Sequence, residues 1–147
     1  DYAETIRKSG EALLALTNEL LDYSRIDAGR MQLDLQACVP RQIVEEAVEL
    51  LSTRAAEKNL ELITTIAPDV PAYVMADPGR LRQVLVNLVG NAIKFTPSGE
   101  VEVELACRPA EGGAPGRTRL LFAVRDSGIG IPTEKQDRLF QPFSQLD

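Results

Sequence analysis

The chain has 147 residues, 44% of them hydrophobic, enough for one buried core of ordinary domain size. Its 16 Lys and Arg against 22 Asp and Glu leave a net charge of -6, which argues against sequence-independent attraction to DNA, RNA or an anionic membrane surface. Histidine is absent, so chemistry that needs an imidazole of this segment is excluded.

No apolar run approaches the roughly 20 residues of a membrane-spanning helix, and the charged start Asp1-Tyr2-Ala3-Glu4 is unlike a signal peptide. The segment is expected to be water-soluble, with no direct membrane contact. Cys38 and Cys107 read as reduced thiols of a cytosolic protein, because a chain of this size needs no staple. The chain begins inside a helical pattern and stops soon after Phe143 without a terminating signal, so it reads as a fragment.

Asp1 to Asp27 form a continuous helical pattern in which Ile6, Leu13 and Leu20 recur at a heptad step, with Leu16 and Tyr23 offset by three. Leu14 and Leu21 widen this face as a helix bundle requires; packing on its own domain is the plainer alternative. Ala28-Gly29 ends the helix. Met31, Leu33, Leu35 and Ala37 alternate with polar residues, which predicts a first strand. Pro40 opens a helix with Ile43, Ala47, Leu50, Leu51 and Ala55 on one face, and Leu60 to Ile66 reads as a second strand. A short strand follows around Tyr73 to Met75. Asp77 is the expected N-cap of a helix with Pro78 at its first position and Leu81, Leu85, Leu88 and Ala92 toward a core; Thr96-Pro97-Ser98-Gly99 stops it. Val101, Val103 and Leu105 predict a strand that pairs, across the Glu111 to Gly116 loop, with a buried strand at Leu120 to Val124. Thr133 is the expected cap of a short helix toward Arg138.

Asn87, Asn91 and Lys94 stand at i, i+4 and i+7, so one stripe of a helix presents two amides and an ammonium. Asparagine is a mediocre helix former, and two among Val84, Leu85, Val86, Leu88 and Val89 carry a local cost that ligand coordination would explain. The alternative is that both amides cap nearby loop backbone or face water. Amide oxygens suit a hydrated magnesium ion beside a triphosphate, and Lys94 can offset phosphate charge. Phe95 can cover a purine ring or be an ordinary core aromatic. Asp126-Ser127-Gly128-Ile129-Gly130-Ile131-Pro132 follows an apolar run; its Asp can accept from an adenine amino group and its glycines permit close backbone approach. Alone it can equally be a plain turn, and its spacing matches neither a P-loop nor a dinucleotide fingerprint.

These segments resemble the sensor histidine kinases of two-component signalling, the hybrid type included, whose catalytic domain shares a fold with Hsp90-type, gyrase-type and MutL-type ATPases. Asn87 to Thr96 looks like the family's N box, Asp126 to Pro132 like its first glycine box and Leu139 to Phe143 like its F box. Tyr23 to Gly29 resembles the junction between dimerisation helix and catalytic domain. The resemblance implies an α+β fold, a two-layer α/β sandwich with a mixed, mainly antiparallel sheet covered by helices and preceded by one long bundle-forming helix. It implies residues 1–29 as the second helix of a dimerisation and phosphoacceptor hairpin, and 30–147 as a catalytic ATP-binding domain without its C-terminal part. ATP and Mg2+ are the implied cofactors. Asn91 and Asn87 would hold the metal, Asn91 and Lys94 would serve catalysis, Phe95 and Ile131 would lie near the nucleotide, and Asp126 would read the adenine amino group. Gly128 and Gly130 would shape the pocket floor, and Phe140 and Phe143 would anchor a mobile lid.

The implied activity is transfer of the ATP γ-phosphate to a histidine of the dimerisation domain, which the fragment itself lacks. The implied partners are a second copy through residues 1–27 and a response-regulator receiver domain, in the cytoplasm or in the cytosolic part of a membrane-anchored receptor. A competing reading is an ATPase or clamp of the same fold, but such enzymes carry a Glu where this chain has Asn87, which cannot act as a base. A third is an inert module that only dimerises or docks regulators.

Overall fold

The computed structural model describes residues 1–145, which divide into two compact units, residues 1–34 and residues 35 onward. Positions 146 and 147 of the expected catalytic domain lie outside the described residues.

The first unit is one helix, α1 (Tyr2–Asp27), and the segment after it. Asp1 caps it by accepting the Ala3 N–H at 3.1 Å, and Glu4 in the first turn complements the helix dipole. Glu4, and then Glu11, hold the Arg7 guanidinium above its ordinary pKa through hydrogen bonds one turn to either side. The helix stops where glycine was expected. Gly29 has φ +66°, its N–H donates to Ile26 O at 3.0 Å, and the Arg30 N–H reaches Arg25 O at 2.8 Å. No residue of α1 is buried, and the seam of Ile6, Leu13, Leu16, Leu20 and Tyr23 is exposed from end to end.

The second unit runs β1 (Gln36–Cys38), α2 (Pro40–Glu57), β2 (Glu61–Ile66), β3 (Val74–Ala76), α3 (Pro78–Phe95), β4 (Glu100–Pro109), a 3-10 turn (Glu111–Gly113), β5 (Thr118–Asp126) and α4 (Thr133–Gln136). The class is α+β, as expected. The expected sheet resolves into two, an antiparallel β1–β3 pair and a β2–β4–β5 sheet in which β2 and β4 are parallel and β4 and β5 form an antiparallel hairpin. The α2 and α3 helices share one core with β4. Ile43, Val44, Ala47, Leu51 and Ala55 of α2 meet Leu85, Val89, Ala92 and Ile93 of α3 over Val101, Val103 and Leu105. Fully burying a side chain such as Leu85 or Leu105 contributes about 1.5–3 kcal/mol. The alternation of β4 leaves Glu102 and Glu104 on the opposite pleat, where Glu104, at 2.6 Å, and then Glu102 hold the Arg125 guanidinium above its ordinary range.

Several sequence expectations need correction. The alternating segment from Met31 forms a strand only at Gln36–Cys38, because residues 31–35 meet no partner strand and Leu33 and Leu35 stay exposed. Leu50 and Leu88 lie outside the core, 64% and 46% exposed, while Val44, Val89 and Ile93 take the inward positions. Both helices carry apolar stripes wider than the face they bury, so packing selects one edge of each stripe. The strand at Leu120 to Val124 is half-buried, since β5 is an edge strand of its sheet, and Leu121 is exposed. Thr133 is the first helical residue of α4 rather than its cap, a place held by Pro132 without a side-chain bond.

Candidate nucleotide site

The α3 helix sets the direction of the candidate site. Its start is fixed by Pro78 at the first position and by Asp77 Oδ1, which accepts the Arg80 N–H at 3.1 Å. With Leu85, Val89, Ala92 and Ile93 turned into the core, Asn87, Asn91 and Lys94 are carried to the opposite, exposed side. Neither asparagine side chain hydrogen-bonds to another described residue, so neither caps loop backbone; both amides face solvent, the other alternative that the sequence left open. The Lys94 ammonium lies 5.0 Å from the centroid of the Phe95 ring. Phe95 is 42% exposed and is therefore not the core aromatic that the sequence left open.

At the C-terminal end of α3 the last carbonyls find specific partners. Thr96 is fully buried and its Oγ1 donates to Ala92 O at 2.6 Å. Just past the end of α2, Lys58 Nζ donates to Ile93 O at 2.6 Å and to Lys94 O at 3.2 Å, placing a cation at the negative end of the α3 dipole. The glycine turn docks on the same end. The Ile129 N–H donates to Phe95 O at 3.3 Å, and Asp126 Oδ1 accepts the Gly128 N–H at 2.9 Å. A Cβ on Gly128 would fall under 3.0 Å from Phe95 O, 2.8 Å from Asp126 Oδ1 and 3.0 Å from Thr96 Oγ1, so only glycine fits between helix and carboxylate. Gly130 has φ +70°, a left-handed conformation that suits glycine.

The turn therefore brings Asp126, Gly128 and Phe95 together beside the end of the Asn87, Asn91 and Lys94 stripe. Ile131 is exposed next to this turn in sequence, and Phe140 and Phe143 are 95% and 85% exposed. Sequence reasoning passed over Ser127 and Lys58, whose partners lie 27 and 35 residues away, beyond any local pattern. The surface is open rather than enclosed. A concavity of about 380 Å³ elsewhere in the unit, walled by Val39, Ile66, Val70 and Tyr73, contains none of the candidate site residues.

Two amide oxygens are a sparse donor set, and among the described residues no cluster of three His, Cys, Asp or Glu side chains could hold a metal. Asn87 and Asn91, exposed and unengaged, fit a magnesium ion that completes its shell with waters and phosphate oxygens. No helix among the described residues is long and apolar enough to cross a membrane.

Residues 76–147 match the family described as histidine kinase-, DNA gyrase B- and HSP90-like ATPase. These residues belong to that family, as the ATP-binding part of a catalytic region of the sensor histidine kinase type. The whole chain is 41% identical over 147 residues to the signal transduction histidine-protein kinase BarA of Escherichia coli (strain K12), covering 100% of the chain and 16% of BarA. It thus spans about a sixth of that relative's length. Full-length ShkA in complex with AMPPNP superposes with TM-score 0.82 at 35% identity, over 98% of this chain and 29% of ShkA. The kinase ThkA, solved in complex with the response regulator protein TrrA, shares the fold with TM-score 0.65 and 23% identity, over 98% of this chain and 40% of ThkA.

Proposed function

We propose that the protein carrying this ATPase region transfers the γ-phosphoryl group of ATP to a histidine on its own dimerisation helices. The observation that carries the reading is the docking of the Asp126 turn on the end of α3, through Ile129 N–H to Phe95 O and the close fit of Gly128. It joins a carboxylate suited to an adenine amino group to a stripe suited to a metal and phosphates.

In this mechanism Asp126 accepts a hydrogen bond from the adenine amino group, and Phe95, Ile131, Gly128 and Gly130 border the base and sugar. Asn91, supported by Asn87, holds magnesium, and Lys94 pairs with a phosphate oxygen. The metal, when bound, neutralises charge that develops on the phosphates. The bond from the γ-phosphorus to the ADP oxygen breaks as a bond to the imidazole nitrogen forms, and ADP leaves. Phe140 and Phe143 anchor a closing lid. Asn87 offers no base to activate water, which favours transfer to a side chain over hydrolysis.

The exposed heptad seam supports residues 1–29 as one of the two helices that each subunit contributes to a homodimeric four-helix bundle, and residues from 30 onward as the catalytic domain. By analogy with ThkA and TrrA, the downstream partner is a response-regulator receiver domain, in the cytoplasm. The test is incubation of the full-length protein with ATP labelled at the γ-phosphate and Mg2+. Acid-labile phosphohistidine is expected; steady phosphate release with no labelled protein would refute the reading.

A further inference from the structure

The Ser127 hydroxyl is held between both backbone polar groups of one residue, Glu100, at the start of β4. It accepts the Glu100 N–H at 3.0 Å and lies 3.3 Å from Glu100 O, to which it can donate, while the Ser127 N–H also donates to Glu100 O at 3.2 Å. The last register pair of the hairpin is Val101 with Asp126, so these bonds extend the β4–β5 pairing by one step, into the glycine turn. A side chain at residue 99 would obstruct this. A Cβ on Gly99, whose φ is +118°, would fall far inside contact distance of the Ser127 hydroxyl. Gly99 also connects the stop of α3 to β4, and its carbonyl accepts the Glu61 N–H at 3.1 Å, so the anchor belongs to the body of the sheet.

The turn is thus fastened on two sides, by Ile129 to the end of α3 and by Ser127 to the start of β4. Asp126 is the last residue of the β5 ladder, directly before this fastening. A single carboxylate that reads an amino group through hydrogen bonds is sensitive to small displacements, since such bonds weaken steeply with angle and distance.

Resting on the nucleotide-site reading above, we propose that Ser127 is a positioning residue which, through its hydroxyl on Glu100 and the space left by Gly99, sets the Asp126 carboxylate for selecting an adenine base. Ser127 need not touch the nucleotide to do so. Adenine carries an amino group where guanine carries a carbonyl oxygen, and a displaced carboxylate loses the donor without relieving the repulsion by much. The signature of the role is therefore a loss of ATP affinity greater than the loss of GTP affinity.

The experiment measures ATP and GTP binding to the full-length protein by displacement of a fluorescent ATP analogue, for wild type, Ser127→Ala and Ser127→Thr, with thermal melting alongside. Expected is a fall of about tenfold in ATP affinity for Ser127→Ala with GTP affinity little changed, and wild-type preference in Ser127→Thr, which keeps the hydroxyl. ATP and GTP weakened equally, or ATP unaffected in Ser127→Ala, or Ser127→Thr as impaired as Ser127→Ala, would each overturn the positioning role while leaving the site reading intact. Wild-type protein that binds no ATP would overturn both.

Discussion

A side-chain carbon on Gly128 would come closer than 3.0 Å to the carbonyl oxygen of Phe95. That contact fixes the separation between the glycine turn and the end of α3, two parts of the chain that meet only in the folded state. Gly128→Ala is expected to force roughly 1–3 kcal/mol of overpacking at the junction, which the exposed turn relieves by lifting away from the helix. ATP affinity should fall about tenfold or more with circular dichroism close to wild type. Unchanged binding, read by calorimetry, would mean that the turn is not part of the site.

Asn91 and Asp126 are both exposed, and the Asn91 amide has no partner among the described residues. Asn91→Asp and Asp126→Ala should therefore abolish phosphate labelling of the full-length protein while leaving its circular dichroism nearly unchanged. Collapse of the fold in both variants would assign these side chains to structure instead.

Asp77 accepts the Arg80 N–H as the N-cap of α3. Its replacement by alanine should cost about 1 kcal/mol, a fall in Tm of about 3–6 °C, and Asp77→Ser should recover most of it. A melting curve unaltered by Asp77→Ala would show that Pro78 and the core alone hold the start of the helix.

Leu105 is wholly buried and Leu50 is 64% exposed. Leu105→Ala is expected to destabilise the protein by about 2–5 kcal/mol, Leu50→Ala by about 0.5 kcal/mol or less. Urea midpoints of the two variants check this; equal effects would place Leu50 in a buried interface.

Leu13 and Leu20 sit on the exposed seam of α1. The double variant Leu13→Glu and Leu20→Glu should turn a dimeric full-length protein into a monomer in sedimentation, with ATP binding retained. A dimer that survives both charges would move the interface off this seam.

Wherever the signal is local, the sequence was readable. Asp77-Pro78 at the head of α3, glycine at the end of α1 and the alternation of Val101, Val103 and Leu105 each act within a turn or along a strand, and each stands where expected. Likewise the i, i+4, i+7 spacing places Asn87, Asn91 and Lys94 on one side of any helix. The alternation after Met31 was equally regular and failed, because a strand needs a neighbour that its own residues do not supply.

The segment that carries the asparagines and the segment that carries the aspartate were each legible in the sequence. Only the tertiary structure brings the aspartate turn against the end of the asparagine helix, through contacts between residues far apart in the chain: Phe95 with Ile129, Ser127 with Glu100, Lys58 with the last carbonyls of α3. Packing likewise chose Val44 over Leu50 and Val89 over Leu88, since an apolar stripe wider than its contact offers two edges and the partner surface selects between them.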